Sequence, residues 1–215
     1  QSERCIQCGD PFCLNKCPLH NYVPQWLKAV SEKDLEFAFK LSNEPSPFPE
    51  VMGRVCPHDR LCEGDCTLND GHGAITIGSV ETHITEAGFK AGYIPEFPGV
   101  TSDKKVAIIG SGPAGLSTAT YLLRSGIGVT MYERDDRAGG LLTYGIPNFK
   151  LDKKIIDRRI KFLLDAGMNL ELNCEIGKNK SFEEIVNNHD AVFIGVGATK
   201  AKHASLAGEN ASSVY

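Results

Sequence analysis

Residues 106–119 read VAIIGSGPAGLSTA, an apolar run followed by Gly110, Gly112 and Gly115 in the spacing G-x-G-x-x-G. The apolar run predicts a buried strand, and the residues after the glycines predict a helix. In such a unit the first glycine permits a tight turn and the second lets a pyrophosphate approach the backbone. The third allows the helix to pack closely on the strand, and the helix N-terminus faces the phosphates. This stretch therefore predicts a Rossmann-like dinucleotide-binding turn.

The segment after the turn helps to choose the dinucleotide. GVTMYE, residues 128–133, predicts a second strand that ends on Glu133, whose carboxylate can accept hydrogen bonds from ribose hydroxyls. A carboxylate there disfavours a 2′-phosphate, which leaves FAD or NAD rather than NADP. Gly139 and Gly140 follow in RDDRAGGLLTYGIPNF, where backbone can approach a further part of the ligand, and this favours FAD. A simple turn at these two glycines is the alternative.

Short apolar segments and helical segments alternate through the second half of the chain. Because each strand is followed by a helix, the pattern predicts a parallel sheet covered on both faces by right-handed βαβ units. Cys174 falls on a predicted strand, and we expect it to be a small buried residue. The predicted strands are 104–109, 128–133, 170–176 and 191–197, and the predicted helices are 113–126, 151–167 and 181–188.

The first half is rich in cysteine and helical in pattern. Residues 24–30 and 31–42 have helical spacing, with Ser31 as a plausible N-cap, and residues 74–89 begin β-like and continue with helical spacing. We expect the helices around Trp26 and Phe37 to fill a core rather than to touch a cofactor.

The composition changes near residues 92–104, GYIPEFPGVTSDK, where proline, glycine and polar residues predict a linker. The sequence therefore predicts an α plus α/β protein with a helical domain, a linker and an incomplete Rossmann-like domain. The predicted limits are 1–95, 96–103 and 104–215.

Charge and hydropathy exclude several classes of protein. The net charge of −4 provides no basic surface for nucleic acid, and no apolar run reaches the roughly 20 residues of a membrane span. Seven of the eight cysteines precede residue 67. In the reducing cytoplasm, which we take as the default location, clustered cysteines more often bind metal or carry out redox chemistry than form disulfides.

The cysteine spacing favours iron–sulfur clusters. The first group is C-x2-C-x4-C-x3-C-P and the second is C-x5-C-x3-C. In bacterial ferredoxins the cysteine before proline ligates a different cluster from the three that precede it. By that logic Cys5, Cys8 and Cys13 share one [4Fe–4S] cluster with a cysteine of the second group, and Cys17 joins a second cluster. A structural zinc protein with an empty Rossmann-like half is the non-enzymatic alternative.

Seven thiolates leave the second cluster one ligand short. From the residues alone the eighth ligand is water, a histidine such as His58 or His72, or a carboxylate. We expect both histidines to be polar loop residues, and a glutamate on a helix is usually solvated.

Three stretches carry a specific resemblance: residues 5–28, 53–81 and 104–116. They resemble the small (beta) subunits of glutamate synthase, and this resemblance extends over essentially the whole chain. The same module occurs in the NADPH-binding subunit of ferredoxin:NADP transhydrogenase and at the N-terminus of dihydropyrimidine dehydrogenase. The resemblance implies two [4Fe–4S] clusters, with Glu81 as the eighth ligand. One ligand set is Cys5, Cys8, Cys13 and Cys66, and the other is Cys17, Cys56, Cys62 and Glu81.

The resemblance also implies the flavin contacts and the reaction. Hydride would pass from NADPH to FAD, and electrons would pass through the clusters to a large (alpha) subunit or an equivalent acceptor, with no acid, base or nucleophile supplied by these residues. The NADPH domain would lie beyond Tyr215, so this chain would be inactive alone. Sister oxidoreductases that share the module and reduce ferredoxin or a pyrimidine are the alternative. The implied FAD-binding residues are Gly110, Ser111, Gly112, Pro113, Ala114, Gly115, Glu133, Gly140, Leu141, Lys150 and Ile176.

Overall fold

Short helices form the N-terminal part of the computed structural model, which describes residues 1–198, 205–209 and 211. The predicted second domain extends to 215, so its last residues lie partly outside this description. Trp26, Leu27, Phe39 and Ile84 form a buried core among the helices. The helices are α1 (Phe12–Lys16), α2 (Val23–Ser31), α3 (Leu35–Asn43), α4 (Pro49–Val55), α5 (Asn69–His72) and α6 (Ile77–Lys90), with 3-10 turns at Ser2–Arg4 and His58–Arg60.

A four-stranded parallel sheet forms the second half, in the order β3-β2-β1-β4. The chain returns from β3 to the far side of β1, so the strand order switches between β1 and β4, and open α/β sheets bind ligands at such a point. The strands are β1 (Lys105–Ile109), β2 (Gly128–Tyr132), β3 (Asn169–Glu171) and β4 (Ala191–Ile194). The helices are α7 (Pro113–Arg124), α8 (Leu141–Tyr144), α9 (Lys153–Asp165) and α10 (Phe182–Asn188).

The two halves pack directly on each other. Phe48 and Val51, at the start of α4, belong to the same buried cluster as Leu116 and Leu163 of the sheet-covering helices. The Tyr121 hydroxyl donates to the Pro45 carbonyl at 2.7 Å. No helix or strand lies between α6 and β1, where the sequence predicts a linker. None of the helices in the described part of the chain is long and apolar enough to cross a membrane.

Several local predictions are wrong. Ser31 ends α2, and the N-cap of α3 is Asp34, whose carboxylate accepts from the Phe37 N–H at 3.0 Å. Phe37 points to solvent with 51% of its surface exposed, because α3 packs on α2 and α6 through the face that carries Phe39. The β-like residues before Ile77 form no strand.

The third strand is shorter than predicted: β3 ends at Glu171, whereas the predicted strand extends to residue 176. Cys174 therefore lies beyond the strand, but it is buried as predicted, beside Tyr132 and Ile185. Its N–H donates to the Glu133 carbonyl at 2.8 Å, which holds this segment against the end of β2.

Candidate functional site

Four cysteines line one small cavity in the helical part. Cys5 follows the first 3-10 turn, Cys13 lies on α1, and Cys8 and Cys66 complete the set. The remaining wall is mostly apolar and includes Leu27, a buried residue of α2. The pKa of Cys13 is raised to about 11, chiefly by burial and then by the neighbouring Cys5, Cys66 and Cys8. These four thiols therefore share one site.

A second group forms where α4 and α6 cross. The crossing is close, because a Cβ atom on Gly53 would lie 2.7 Å from Thr82 Oγ1 and 2.9 Å from the Gly78 carbonyl oxygen. Cys56 directly follows α4, and Glu81 projects from the second turn of α6. Close helix packing thus brings two segments that are distant in sequence to one place.

The electrostatic environment identifies the other members of this second group. Burial raises the pKa of Cys56 to about 11, with further contributions from Glu81 and Cys17. Burial also raises the pKa of Cys62 to about 12, with contributions from Glu81, Glu63 and Cys17. The electrostatic environment of Cys56 and Cys62 thus includes Glu81 and Cys17, whereas that of Cys13 includes Cys5, Cys8 and Cys66.

Glu81 is not a solvated helix glutamate, because only 5% of its surface is exposed. Burial raises its pKa to about 8, the hydrogen bond from Asn21 opposes that shift, and the nearby Glu50 adds to it. A buried carboxylate without a cationic partner is costly unless it is protonated or bound to a metal. Metal binding through one carboxylate oxygen would satisfy the second condition.

The two histidines are placed differently from each other. His72 is exposed on α5, so it is not a buried member of either group. The His58 ring lies against α6, where a Cβ on Gly78 would approach its Nε2 atom to 2.4 Å. This Nε2 atom is buried and has no hydrogen-bond partner among the described residues.

The donor chemistry fits iron–sulfur clusters better than single ions. All eight cysteines are free thiols. Within the described residues, no group of three or more His, Cys, Asp or Glu side chains is arranged to hold one metal ion. The first four thiols instead surround a cavity, as the ligands of a multi-iron cluster do.

The glycine-rich turn lies at the carboxyl end of β1, next to β4. Gly110 has φ +97°, and a Cβ atom there would lie 2.6 Å from the Gly195 carbonyl oxygen. A Cβ on Gly115 would lie 2.0 Å from the Gly110 carbonyl oxygen, so α7 packs as closely as the sequence predicts. Gly112 is the N-cap of α7, and a Cβ atom on it would meet no atom within 4 Å, which leaves room for a phosphate at the helix N-terminus.

Glu133 holds this turn together. Its Oε2 accepts from the Ser111 N–H at 2.9 Å and from the Ser111 hydroxyl, and its Oε1 accepts from the Asp135 N–H at 3.0 Å. The Gly139 N–H donates to Ser111 Oγ at 3.1 Å, which ties the second glycine pair to the first turn. The sequence predicts Glu133 as a ribose ligand, whereas its contacts to Ser111 depend on the tertiary fold. Oε1 keeps a free lone pair that suits a ribose hydroxyl.

The other predicted flavin contacts are spread over a wider surface. Gly140 approaches the turn, since a Cβ there would lie 2.8 Å from Gly112 Cα, and it is followed by Leu141, which is 72% exposed. Ile176 packs beside Tyr132 at the end of β2. Lys150 lines a pocket with Arg54 and Arg158 that includes no residue of the glycine-rich turn. The structure thus brings Gly140 to the turn but places Lys150 elsewhere.

Two family models match the chain. Residues 1–93 match the model described as dihydropyrimidine dehydrogenase domain II, 4Fe-4S cluster. Residues 108–168 match an NAD(P)-binding Rossmann-like domain. The chain therefore has an iron–sulfur domain followed by a Rossmann-like region.

Several curated relatives match over the entire chain. The glutamate synthase [NADPH] small chains of Halomonas elongata and Escherichia coli are 49% and 46% identical over 100% of this chain and 46% of each relative. AegA of Escherichia coli, which is named an oxidoreductase, is 48% identical over 100% of this chain and 33% of its own length. The chain thus spans about half the length of these small chains.

Proposed function

Since this chain is homologous over its whole length to glutamate synthase small chains, we propose that it is the iron–sulfur and flavin-binding part of an electron-transfer subunit. Its residues would hold two [4Fe–4S] clusters and FAD, and NADPH would bind in the part of the relatives that this chain does not span. When bound, these groups supply hydride transfer and one-electron transfer. The observation that carries the proposal is the cavity lined by Cys5, Cys8, Cys13 and Cys66, and we assign Cys17, Cys56, Cys62 and Glu81 to the second cluster.

The chain's own residues would bind and orient these groups. Cys5, Cys8, Cys13 and Cys66 supply four thiolates to one cluster, and the mostly apolar wall of their cavity excludes water. A second set, with one carboxylate oxygen, differs in charge and hydrogen bonding, and such differences set reduction potentials. Its proposed members are Cys17, Cys56, Cys62 and Glu81.

The Rossmann-like half would hold the flavin nucleotide at the carboxyl ends of its strands. The pyrophosphate would bind at the N-terminus of α7, beside Gly112, where a Cβ atom would meet no atom within 4 Å. Glu133 fixes Ser111 and offers Oε1 to a ribose hydroxyl. The approach of Gly140 to the turn supports FAD, and Pro113, Ala114 and Leu141 border the same surface. We also propose that Lys150 and Ile176 contact the flavin nucleotide.

The domain limits remain the predicted ones: iron–sulfur domain 1–95, linker 96–103 and flavin domain 104–215. Eight free thiols suit a reducing compartment, so we place the protein in the cytoplasm. We propose a large glutamate synthase subunit as the partner that accepts the electrons and produces glutamate.

Elemental analysis of the anaerobically purified full-length protein tests this proposal. We expect iron and acid-labile sulfide in equal amounts, one FAD per chain and a brown colour. A colourless protein with stoichiometric zinc and no flavin would contradict it and would support a structural zinc protein.

AegA favours a second candidate, because its 48% identity is close to that of the small chains. In this alternative the same cofactors deliver electrons to a different acceptor. Adding a glutamate synthase large chain to the reduced full-length protein discriminates the two: glutamate formation from glutamine and 2-oxoglutarate supports the first, and reduced clusters that stay reduced support the second.

A further inference from the structure

A buried chain of hydrogen bonds leads from the core of the helical domain to Glu81. The Trp26 indole N–H donates to Asn21 Oδ1 at 3.2 Å, and Asn21 Nδ2 donates to Glu81 Oε1 at 2.8 Å. The exposed fractions are 0% for Trp26, 6% for Asn21 and 5% for Glu81. Water therefore does not compete for these bonds, and their energies and directions are fixed by the protein.

The chemistry of the indole sets the direction of the chain. An indole N–H can only donate, so the atom of Asn21 that faces Trp26 must be the amide oxygen. The amide nitrogen then necessarily faces Glu81, whose ionised carboxylate can only accept. Trp26 thus prevents the amide from turning its oxygen towards the carboxylate, where two acceptors would repel each other.

This arrangement leaves one oxygen of Glu81 available. Oε1 is held by Asn21, whereas Oε2 accepts no hydrogen bond from any residue that the structure describes. Cys56 directly follows α4, and α4 crosses α6 closely in the segment of α6 that carries Glu81. One carboxylate oxygen is therefore anchored in the protein, while the other has no hydrogen bond from the described residues that would compete with metal binding.

We propose that Asn21, oriented by Trp26, is a positioning residue that directs a single carboxylate oxygen of Glu81 to the second cluster and raises the potential of that cluster. The inference rests on the proposed function, because it requires a cluster bound by Cys17, Cys56, Cys62 and Glu81. A donor to a metal-bound carboxylate withdraws negative charge from the ligand, which favours the reduced cluster. Partners of this kind also fix ligand orientation.

The test is a redox titration, followed by electron paramagnetic resonance, of the full-length, anaerobically purified protein. In Asn21→Ala we expect the ratio of reduced to oxidised second cluster, at fixed potential, to fall about threefold, which is about 28 mV for a one-electron couple at 59 mV per decade. Trp26→Phe should shift the same cluster in the same direction. The double variant should shift it no further than Asn21→Ala alone, because Trp26 acts through Asn21.

Thr85→Val is the matched control. Thr85 is fully buried one turn after Glu81, but its hydroxyl donates to the backbone carbonyls of Glu81 and Thr82, not to the carboxylate. The reduction potentials of both clusters in Thr85→Val should equal those of the wild type. If Asn21→Ala does not retain iron, Trp26→Phe carries the test, because it keeps Asn21 and most of the ring volume.

The outcomes separate this inference from the function on which it rests. Two clusters in the wild type, with unshifted potentials in Asn21→Ala and Trp26→Phe, would overturn the inference and leave the proposed function standing. An equal shift in Thr85→Val would also overturn it, since any buried change would then suffice. A wild-type protein without iron or sulfide would overturn the proposed function and the inference together.

Discussion

A fully buried ion pair joins the two halves of the molecule. Arg159 of α9 donates from Nε and Nη2 to the two carboxylate oxygens of Glu50 in α4, at 2.7 and 2.6 Å. The exposed fractions of the two side chains are 1% and 0%. Arg159→Ala therefore leaves the Glu50 carboxylate buried without its cation, at the point where the iron–sulfur half packs on the Rossmann-like half.

The size of the effect follows from this burial. Removing one partner of a buried pair costs about 3–5 kcal/mol, because the remaining charge has lost both water and its counterion. For a chain of this length about 1 kcal/mol lowers the Tm by roughly 2–4 °C, so we expect a fall of roughly 6–20 °C. The double change Glu50→Leu with Arg159→Met removes both charges at similar volume, and it should recover most of that loss.

Urea unfolding of the iron-loaded protein, followed by Trp26 fluorescence, measures these differences. Lys161→Ala is the matched control, because Lys161 lies on the same helix and its pair with Asp165 is exposed, with side-chain exposures of 71% and 57%. Exposed pairs contribute about 0–1 kcal/mol. An Arg159→Ala protein within about 1 kcal/mol of the wild type, or a double variant less stable than the single one, would refute the reasoning.

Three other predictions test separate parts of the molecule. Gly112→Ala should keep the stability of the wild type within about 0.5 kcal/mol, because its Cβ meets no protein atom within 4 Å, but should lower FAD affinity at least about tenfold in flavin titrations; unchanged affinity would exclude phosphate binding there. Glu81→Ala should keep nearly normal iron content and alter the spectrum or potential of one cluster, whereas unchanged signals from both would exclude ligation. The pKa of Glu86 is lowered because Arg158, and then Arg54, bind its carboxylate. The contribution of Glu86 to the stability of the fold is therefore present above the ordinary carboxyl pKa and is lost as the pH falls through the lowered value. Glu86→Gln should flatten this acid limb of a Tm-against-pH curve, and a curve identical to that of the wild type would contradict the prediction.

The sequence predicts those features that local patterns determine. The glycine spacing and the alternation of apolar runs with helices predicted the parallel sheet, because turn geometry and side-chain periodicity act within a few residues. The start of α3 was wrong by three residues, because Ser31 and Asp34 are both acceptable caps and only packing decides between them.

Long-range polar contacts could not be predicted in this way. The bond from Asn21 to Glu81 joins residues 60 positions apart, and that from Arg159 to Glu50 spans 109 positions. No periodicity connects such residues. They meet because α2 and α4 both pack on α6 and because α4 packs on α9. The assignment of Cys17 to one group with Cys56 and Cys62 likewise joins segments that are distant in sequence.

The division of the cysteines between two clusters is tested most directly by comparing Cys66→Ser with Cys62→Ser in the full-length protein by electron paramagnetic resonance and Mössbauer spectroscopy. Cys66 lines the first cavity, and Cys62 lies beside Glu81. We predict that Cys66→Ser perturbs only the cluster unaffected by Glu81→Ala, and that Cys62→Ser perturbs only the other. Loss of the same signal in both cysteine variants, or a single cluster in the wild type, would contradict the account.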